Sequence, residues 1–149
     1  MNEGMTTPTT ALPQENERLW AAGAHAAALG MALLTSWMAG LAGALAALAI
    51  YIYQRDRSSF AAEHAKEALN FNLSMFIYAC AAALIALLLL GATVLTLGIG
   101  IILTGPAGLL LAMAALAIAV LWLVCSVIAA FKAYNGETYR YPLTLRLVS

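Results

Sequence analysis

ALNFNLSMFIYACAAALIALLLLGATVLTLGIGIILTGPAGLLLAMAALAIAVLWLVCSVIAAF, residues 68–131, lies between Glu67 and Lys132 and contains no Asp, Glu, Lys or Arg. A helix crossing a bilayer needs about 20 consecutive apolar residues, so this run holds two spans and a connection. Helix breakers cluster at Gly98, Gly100, Gly105 and Pro106. Pro106 suits the first position of a helix, where its missing N–H has no intrahelical acceptor. Spans are therefore predicted over 69–95 and 107–132.

The rest of the chain agrees with a lipid environment. Of 149 residues, 64% are hydrophobic and 9% charged, outside the range of soluble domains. Seven basic and seven acidic side chains cancel, so the basic footprint of a nucleic-acid binder is missing. The lipid bilayer is the partner that composition points to. Cys80 and Cys125 each sit in an apolar run without a C-x-x-C pair and read as small core residues.

Residues 1–16, rich in Thr, Pro and acidic groups, lack hydrophobic periodicity and are predicted to be a disordered tail. Met1–Glu17 contains no Lys or Arg, so the next apolar segment is expected to stay in the protein as a span rather than leave as a signal peptide. Residues 17–149 then form a single membrane domain. From Leu19 to Gln54 there is no formal charge, with Trp20 near one end and Tyr51 and Tyr53 at the other, which suits interfacial belts. The stretch is long for one span and short for two plus a turn. An all-α membrane bundle with three transmembrane helices is expected, 19–54 being one long or broken span. The alternative has four, with a break near Ser36.

Lys and Arg are retained on the cytoplasmic side of short loops. Arg55, Arg57 and Lys66, in a loop over 55–68, share a face with Lys132, Arg140 and Arg146 because two spans separate the groups. Loop and C-terminus are predicted cytoplasmic. Three spans place the N-terminal tail outside; four bring it inside.

Two constellations stand out at that face. In the first, a helix starting after Ser58 and Ser59 puts Glu63, Lys66, Glu67, Asn70 and Ser74 on one stripe, beside a more apolar strip of Phe60, His64, Phe71, Met75 and Tyr78. The stripe climbs into the membrane, where polar side chains face other helices or a wet cavity; the plainer reading is an ordinary interfacial helix start. Asn72, on the opposite side, is expected to make a helix contact. His64 and Glu67 at i and i+3 fall short of a metal site, because carboxylate-bridged bundles need that motif twice with further Glu. His25 reads as a hydrogen-bonded packing residue.

The second constellation is the tail over 134–149. Asn135-Gly136 ends a helix in the left-handed manner, with Lys132 complementing the dipole. Tyr139, Tyr141, Leu143, Leu145 and Leu147 then alternate with Arg140, Pro142, Thr144 and Arg146, the period of an extended amphipathic strand. It is expected along the cytoplasmic interface with its Arg edge toward phosphates or Glu63 and Glu67. The plainer reading is a loosely attached tail.

No G-x-S-x-G, H-E-x-x-H or phosphate-loop pattern is present, so no enzyme, cofactor or metal is expected. Small residues such as Gly40, Gly43, Ala47, Gly108 and Ala112 allow close helix packing and so a homo-oligomer or a membrane-protein partner.

Glu63-His64-Ala65-Lys66-Glu67-Ala68-Leu69-Asn70-Phe71 and the terminal Ala133-Tyr134-Asn135-Gly136-Glu137-Thr138-Tyr139-Arg140-Tyr141-Pro142-Leu143-Thr144 resemble the Tic20-like, DUF4870 family of small membrane proteins. The resemblance covers the chain from about Leu19 onward, without the Pro and Gly-Asn break usual in the first segment. It implies a bacterial inner-membrane protein related to a chloroplast protein-import component usually drawn with four spans. The functional expectation is a non-enzymatic scaffold or assembly factor with a link to protein translocation; an oligomeric channel or small transporter is the alternative. The contact surface would comprise Glu63, His64, Lys66, Glu67, Asn70 and Ser74 with Asn135, Gly136, Tyr139, Arg140, Tyr141 and Pro142.

Overall fold

The structure is a computed structural model that describes residues 12–35 and 38–149. Four helices follow one another: α1 (Glu15–Thr35), α2 (Ala39–Gln54), α3 (Ser59–Leu95) and α4 (Ile101–Tyr134). The all-α architecture is as expected. The stretch 19–54, expected as one long or broken span, is instead two helices; residues 36 and 37, which include the break point considered near Ser36, lie outside the described residues. Of the tail predicted over 1–16, residues 1–11 also lie outside them, and Glu15 already opens α1.

Dividing the first segment returns the chain to where it began. The Ser58 hydroxyl donates to Glu17 Oε1 at 2.8 Å, and Arg18 Nη1 donates to the Tyr134 carbonyl at 3.4 Å. The start of α1 thus lies at the same end of the bundle as the 55–58 connection and the end of α4. The three-span placement of the N-terminal side on the opposite face is corrected by these contacts.

The helices are unequal. Among the described residues α3 and α4, with 37 and 34 residues, are long and apolar enough to cross a membrane. At 16 residues, α2 is about 24 Å long, less than the roughly 30 Å hydrocarbon thickness. Its first turn meets α3 near Phe76: a Cβ on Gly40 would lie 2.8 Å from the Phe76 backbone nitrogen. From Glu67 to Phe76 α3 advances about 14 Å. Beyond that level α3 and α4 continue as a two-helix hairpin, and between Met75 and Cys125 no described residue is buried. Leu84, Leu87, Leu88, Leu90, Leu109, Leu110 and Leu116 are all more than half exposed there. A soluble protein cannot leave so large an apolar surface to water; lipid covers it. Cys80, expected in a core, faces outward on this hairpin, whereas Cys125 is buried.

The core lies at the charged end and is built largely of alanine: Ala21, Ala24, Ala28 and Ala32 on α1, Ala44 and Ala47 on α2, Ala61, Ala65 and Ala68 on α3, Ala129 and Ala133 on α4. Small side chains let backbones approach closely and pack by dispersion. Gly43 sits in such an approach between helices, since a Cβ there would lie 2.5 Å from Asn72 Oδ1 and 2.8 Å from the Ala28 carbonyl. Around Phe71, Met75, Cys125, Ala129 and Tyr141 a larger-residue cluster joins α3, α4 and the tail.

Helix ends follow from local chemistry. Ser58, extended at φ −146°, caps α3 by accepting from the Ala61 N–H at 3.2 Å. The turn expected around 98–106 is completed by Gly100, and Pro106 lies inside α4 rather than at its first position. Leu97 and Gly98 carry the reversal with φ of 53° and 86°, and Gly98 N–H returns to the Thr93 carbonyl at 2.9 Å. Thr93 and Thr104 hydroxyls bond each other at 2.6 Å across the turn, leaving fewer polar groups facing lipid. At the other end of α4, Gly136 with φ 81° closes the helix as the Asn135-Gly136 pair predicts. Glu137 N–H reaches the Lys132 carbonyl at 2.9 Å, and Lys132 Nζ binds Glu137 Oε2 at 2.7 Å.

Candidate functional site: the tail clamp at the charged face

On α3, residues four apart stand one above another on the same face. Asn70, Ser74 and Tyr78 occupy three such positions, and each holds the backbone of the tail. Asn70 Nδ2 donates to the Val148 carbonyl at 2.9 Å, while its Oδ1 accepts from Leu147 N–H at 3.1 Å and Val148 N–H at 2.8 Å. Ser74 Oγ accepts from Leu145 N–H at 2.9 Å, and the Tyr78 hydroxyl donates to the Leu143 carbonyl at 2.7 Å. The register has a simple origin. Four helical residues rise about 6 Å, close to the roughly 6.6 Å of two extended residues, so every fourth side chain on α3 meets every second residue of an antiparallel tail.

Beyond Gly136 the tail forms neither helix nor strand and turns at Pro142–Leu143. Its alternation holds through Tyr141, which is buried, and then breaks at Pro142–Leu143, where Leu143 adopts φ 57°. Leu143, Leu145 and Leu147 consequently face outward. Arg146 Nε lies 3.6 Å from Glu67 Oε1, as expected for an Arg edge turned to the carboxylates of α3.

Inside the clamp runs a second network. Tyr141 OH lies 2.9 Å from His25 Nδ1, and His25 Nε2 lies 2.9 Å from His64 Nδ1. This joins the tail, α1 and α3. Phe71 stacks on Tyr141 with ring centroids 3.8 Å apart, and Phe60 packs against His64 at 4.6 Å. Burial lowers the basicity of the His64 imidazole, against weaker opposing effects of the Glu137 carbonyl and Glu63 carboxylate, so its ring stays neutral and carries one N–H. Burial likewise raises the Tyr141 phenol, and that of Tyr139, beside Cys125, is pushed up to about 12; both stay protonated donors. On the N-terminal side Glu17 is held below the ordinary carboxylate range by the Ser58 hydroxyl and the Gln14 N–H. Asn72, as expected, makes a helix contact, accepting from Trp122 Nε1 of α4 at 3.3 Å.

A cleft of about 190 Å³ opens between α3 and the tail, lined by Glu63, His64, Lys66, Glu67, Asn70, Thr138, Tyr139, Arg140 and Arg146, among others. Among the described residues no three His, Cys, Asp or Glu side chains converge as a metal-ligand set.

Of the residues expected to form a contact surface, Glu63, Asn135, Arg140 and Pro142 are exposed, and Lys66, Glu67, Gly136 and Tyr139 are half-buried. His64, Asn70, Ser74 and Tyr141 are buried. The last four assemble the face from within, and the Asn70 and Ser74 side chains are turned to the tail rather than to a wet path. Sequence reading missed the link of His25 to His64 and Tyr141, which lie 39 and 116 residues away; no spacing signals it. The four-residue ladder on α3 and the two-residue alternation of the tail were a signal that could have paired the two elements.

No curated protein and no solved structure matches the chain. The family whose pattern matches, over residues 16–148, is the magnetosome magnetite crystal formation protein family, MamF/MmsF. This overturns the resemblance to the Tic20-like, DUF4870 family, and the implied link to protein translocation falls with it. Of the two stretches that carried the resemblance, the first contributes Asn70 and the second Leu143 to the clamp. With a match spanning nearly its whole length, the chain belongs to the MamF/MmsF family of membrane proteins of magnetosome magnetite crystal formation.

Proposed function

We propose that the chain is a non-enzymatic scaffold of the magnetosome membrane, whose charged face lies on the cytoplasmic side and docks a membrane-protein partner or a second copy. The observation that supports this reading is the clamp: Asn70, Ser74 and Tyr78 hold the backbone of the tail from Leu143 to Val148, and Arg140 of the same tail lines one cleft with Glu63. A surface ordered in advance loses less entropy on docking than a loose tail would. The polar atoms of the buried stripe are used in holding that surface, which supports assembly over conduction.

Photocrosslinking amino acids at Asn135 and Pro142, in the full chain in its native membrane, test the reading. Capture of a discrete protein, or of another copy, with loss of the adduct in Asn70→Leu, is the expected result. Adducts with lipid alone at both positions would overturn it.

A further inference from the structure

The cleft between α3 and the tail has an unbalanced set of polar groups. Lys66 and Arg140 line it without a carboxylate partner among the described residues. Glu67 gives Oε1 to Arg146, but its Oε2 is buried and has no hydrogen-bond partner. His64, 3% exposed, also lines the cleft, its Nε2 without a hydrogen-bond partner. Buried polar groups are rarely left unsatisfied, and two in one cleft describe what would fill it.

The His64 Nδ1 side is taken up by His25, whose other ring nitrogen meets the Tyr141 hydroxyl. The cleft presents two unpaired cations, Lys66 and Arg140, on one side. On the other it presents one carboxylate oxygen that needs a donor.

We propose that this cleft seats the zwitterionic headgroup of a phosphoethanolamine lipid, with the phosphate toward Lys66 and Arg140 and the primary ammonium toward Glu67. Position agrees with chemistry. Beyond Glu67 α3 carries no further charge, so the cleft lies at the boundary where headgroups meet hydrocarbon, and exposed Leu145 and Leu147 stand on the adjoining tail. The volume of about 190 Å³ is far above the roughly 10–15 Å³ that a single water needs. A phosphocholine head has no N–H to give Glu67 Oε2, and a phosphoglycerol head brings no cation to it. The primary ammonium is thus the discriminating group. The site needs the membrane embedding of the chain but no protein partner, so it stands or falls apart from the scaffold reading.

The test is native mass spectrometry of the full chain released from nanodiscs holding equal parts of phosphatidylethanolamine, phosphatidylcholine and phosphatidylglycerol. Retention of one phosphatidylethanolamine per chain, several-fold over the other two, is expected. The double variant Lys66→Gln/Arg140→Gln, which changes side chains outside the buried network, should lose that lipid, while Arg55→Gln/Arg57→Gln should keep it. Equal retention of phosphatidylglycerol would mean a plain cationic site and would overturn the proposal, as would no preferred lipid. Soluble glycerophosphoethanolamine bound by the detergent-solubilised chain as tightly as the lipid would overturn the lipid assignment in favour of a free phosphoester.

Discussion

Asn70 closes on Val148 through both backbone polar groups of that residue, its Nδ2 donating to the carbonyl at 2.9 Å and its Oδ1 accepting the N–H at 2.8 Å. One side chain on α3 thereby fixes a residue 78 positions further along the chain. A carboxamide is suited to this because it offers both a donor and an acceptor in one plane.

Replacing it isolates the clamp. Asn70→Leu leaves Leu147 and Val148 N–H groups without their partner and should cost about 3 kcal/mol, since each orphaned buried group costs roughly 1–3 kcal/mol. Asn70→Asp keeps the acceptor and loses the donor, so it should fall between. Tyr78→Phe removes one bond and should cost about 1 kcal/mol. Unfolding in mixed detergent micelles gives the order, and limited proteolysis should cut the tail of Asn70→Leu first. Equal protease resistance in all three would contradict the clamp.

Close approach at Gly43 gives a second prediction. A methyl there meets Asn72 Oδ1 and the Ala28 carbonyl, so Gly43→Ala should destabilise by about 1–3 kcal/mol, the usual cost of overpacking. Gly91 has nothing within 4 Å of its would-be Cβ, and Gly91→Ala should stabilise by about 0.5–1 kcal/mol through helix propensity. The opposite signs are the result to look for in paired melting curves.

Protonation should loosen the bundle. His64 is held below its ordinary value of 6.5 by burial, so the unfolded chain binds the proton first as acid is added. Its contribution is fully present above about pH 6.5 and is lost progressively as pH falls from there toward the depressed folded value. Stability measured from pH 8 to pH 5 should decline below about 6.5, and His64→Gln should flatten that decline. A flat wild-type profile would contradict the burial of a neutral imidazole.

Cysteine labelling tests the shared end of the bundle. In a background lacking Cys80 and Cys125, Gln14→Cys and Arg57→Cys should react with a membrane-impermeant maleimide from one side, and Leu97→Cys from the other. Labelling of Gln14→Cys from the Leu97 side would contradict the return of α1 to the 55–58 connection.

Much of this architecture was legible because hydrophobic runs, caps and breakers act locally. The uncharged stretch 68–131 announced two long helices, and Asn135-Gly136 announced the end of α4. The count of helices before it was not, because Leu19–Gln54 is apolar throughout and its fold-back depends on packing at Gly40 and Gly43 against α3, which no local pattern reports. Pro106 misled for a related reason. Leu97 and Gly98 complete the reversal first, and a helix can lose the single N–H that Pro lacks in its second turn. At the site, the polar stripe and the alternating tail were each visible, but their joining rests on matched rises of helix and strand rather than on either alone. Nothing in the sequence near His25 marks its partners, since that network exists only after three distant segments meet.

The short α1–α2 pair also gives the molecule a shape that its helix count hides. Up to Phe76 it is four helices across, and beyond that level two. Glu67 to Phe76 covers about 14 Å, near half of the roughly 30 Å hydrocarbon thickness. The charged end is therefore a four-helix body and the far end a bare hairpin of two, a wedge in outline whose broad part carries the tail and whose narrow part offers its neighbours apolar side chains such as Leu87 and Leu110.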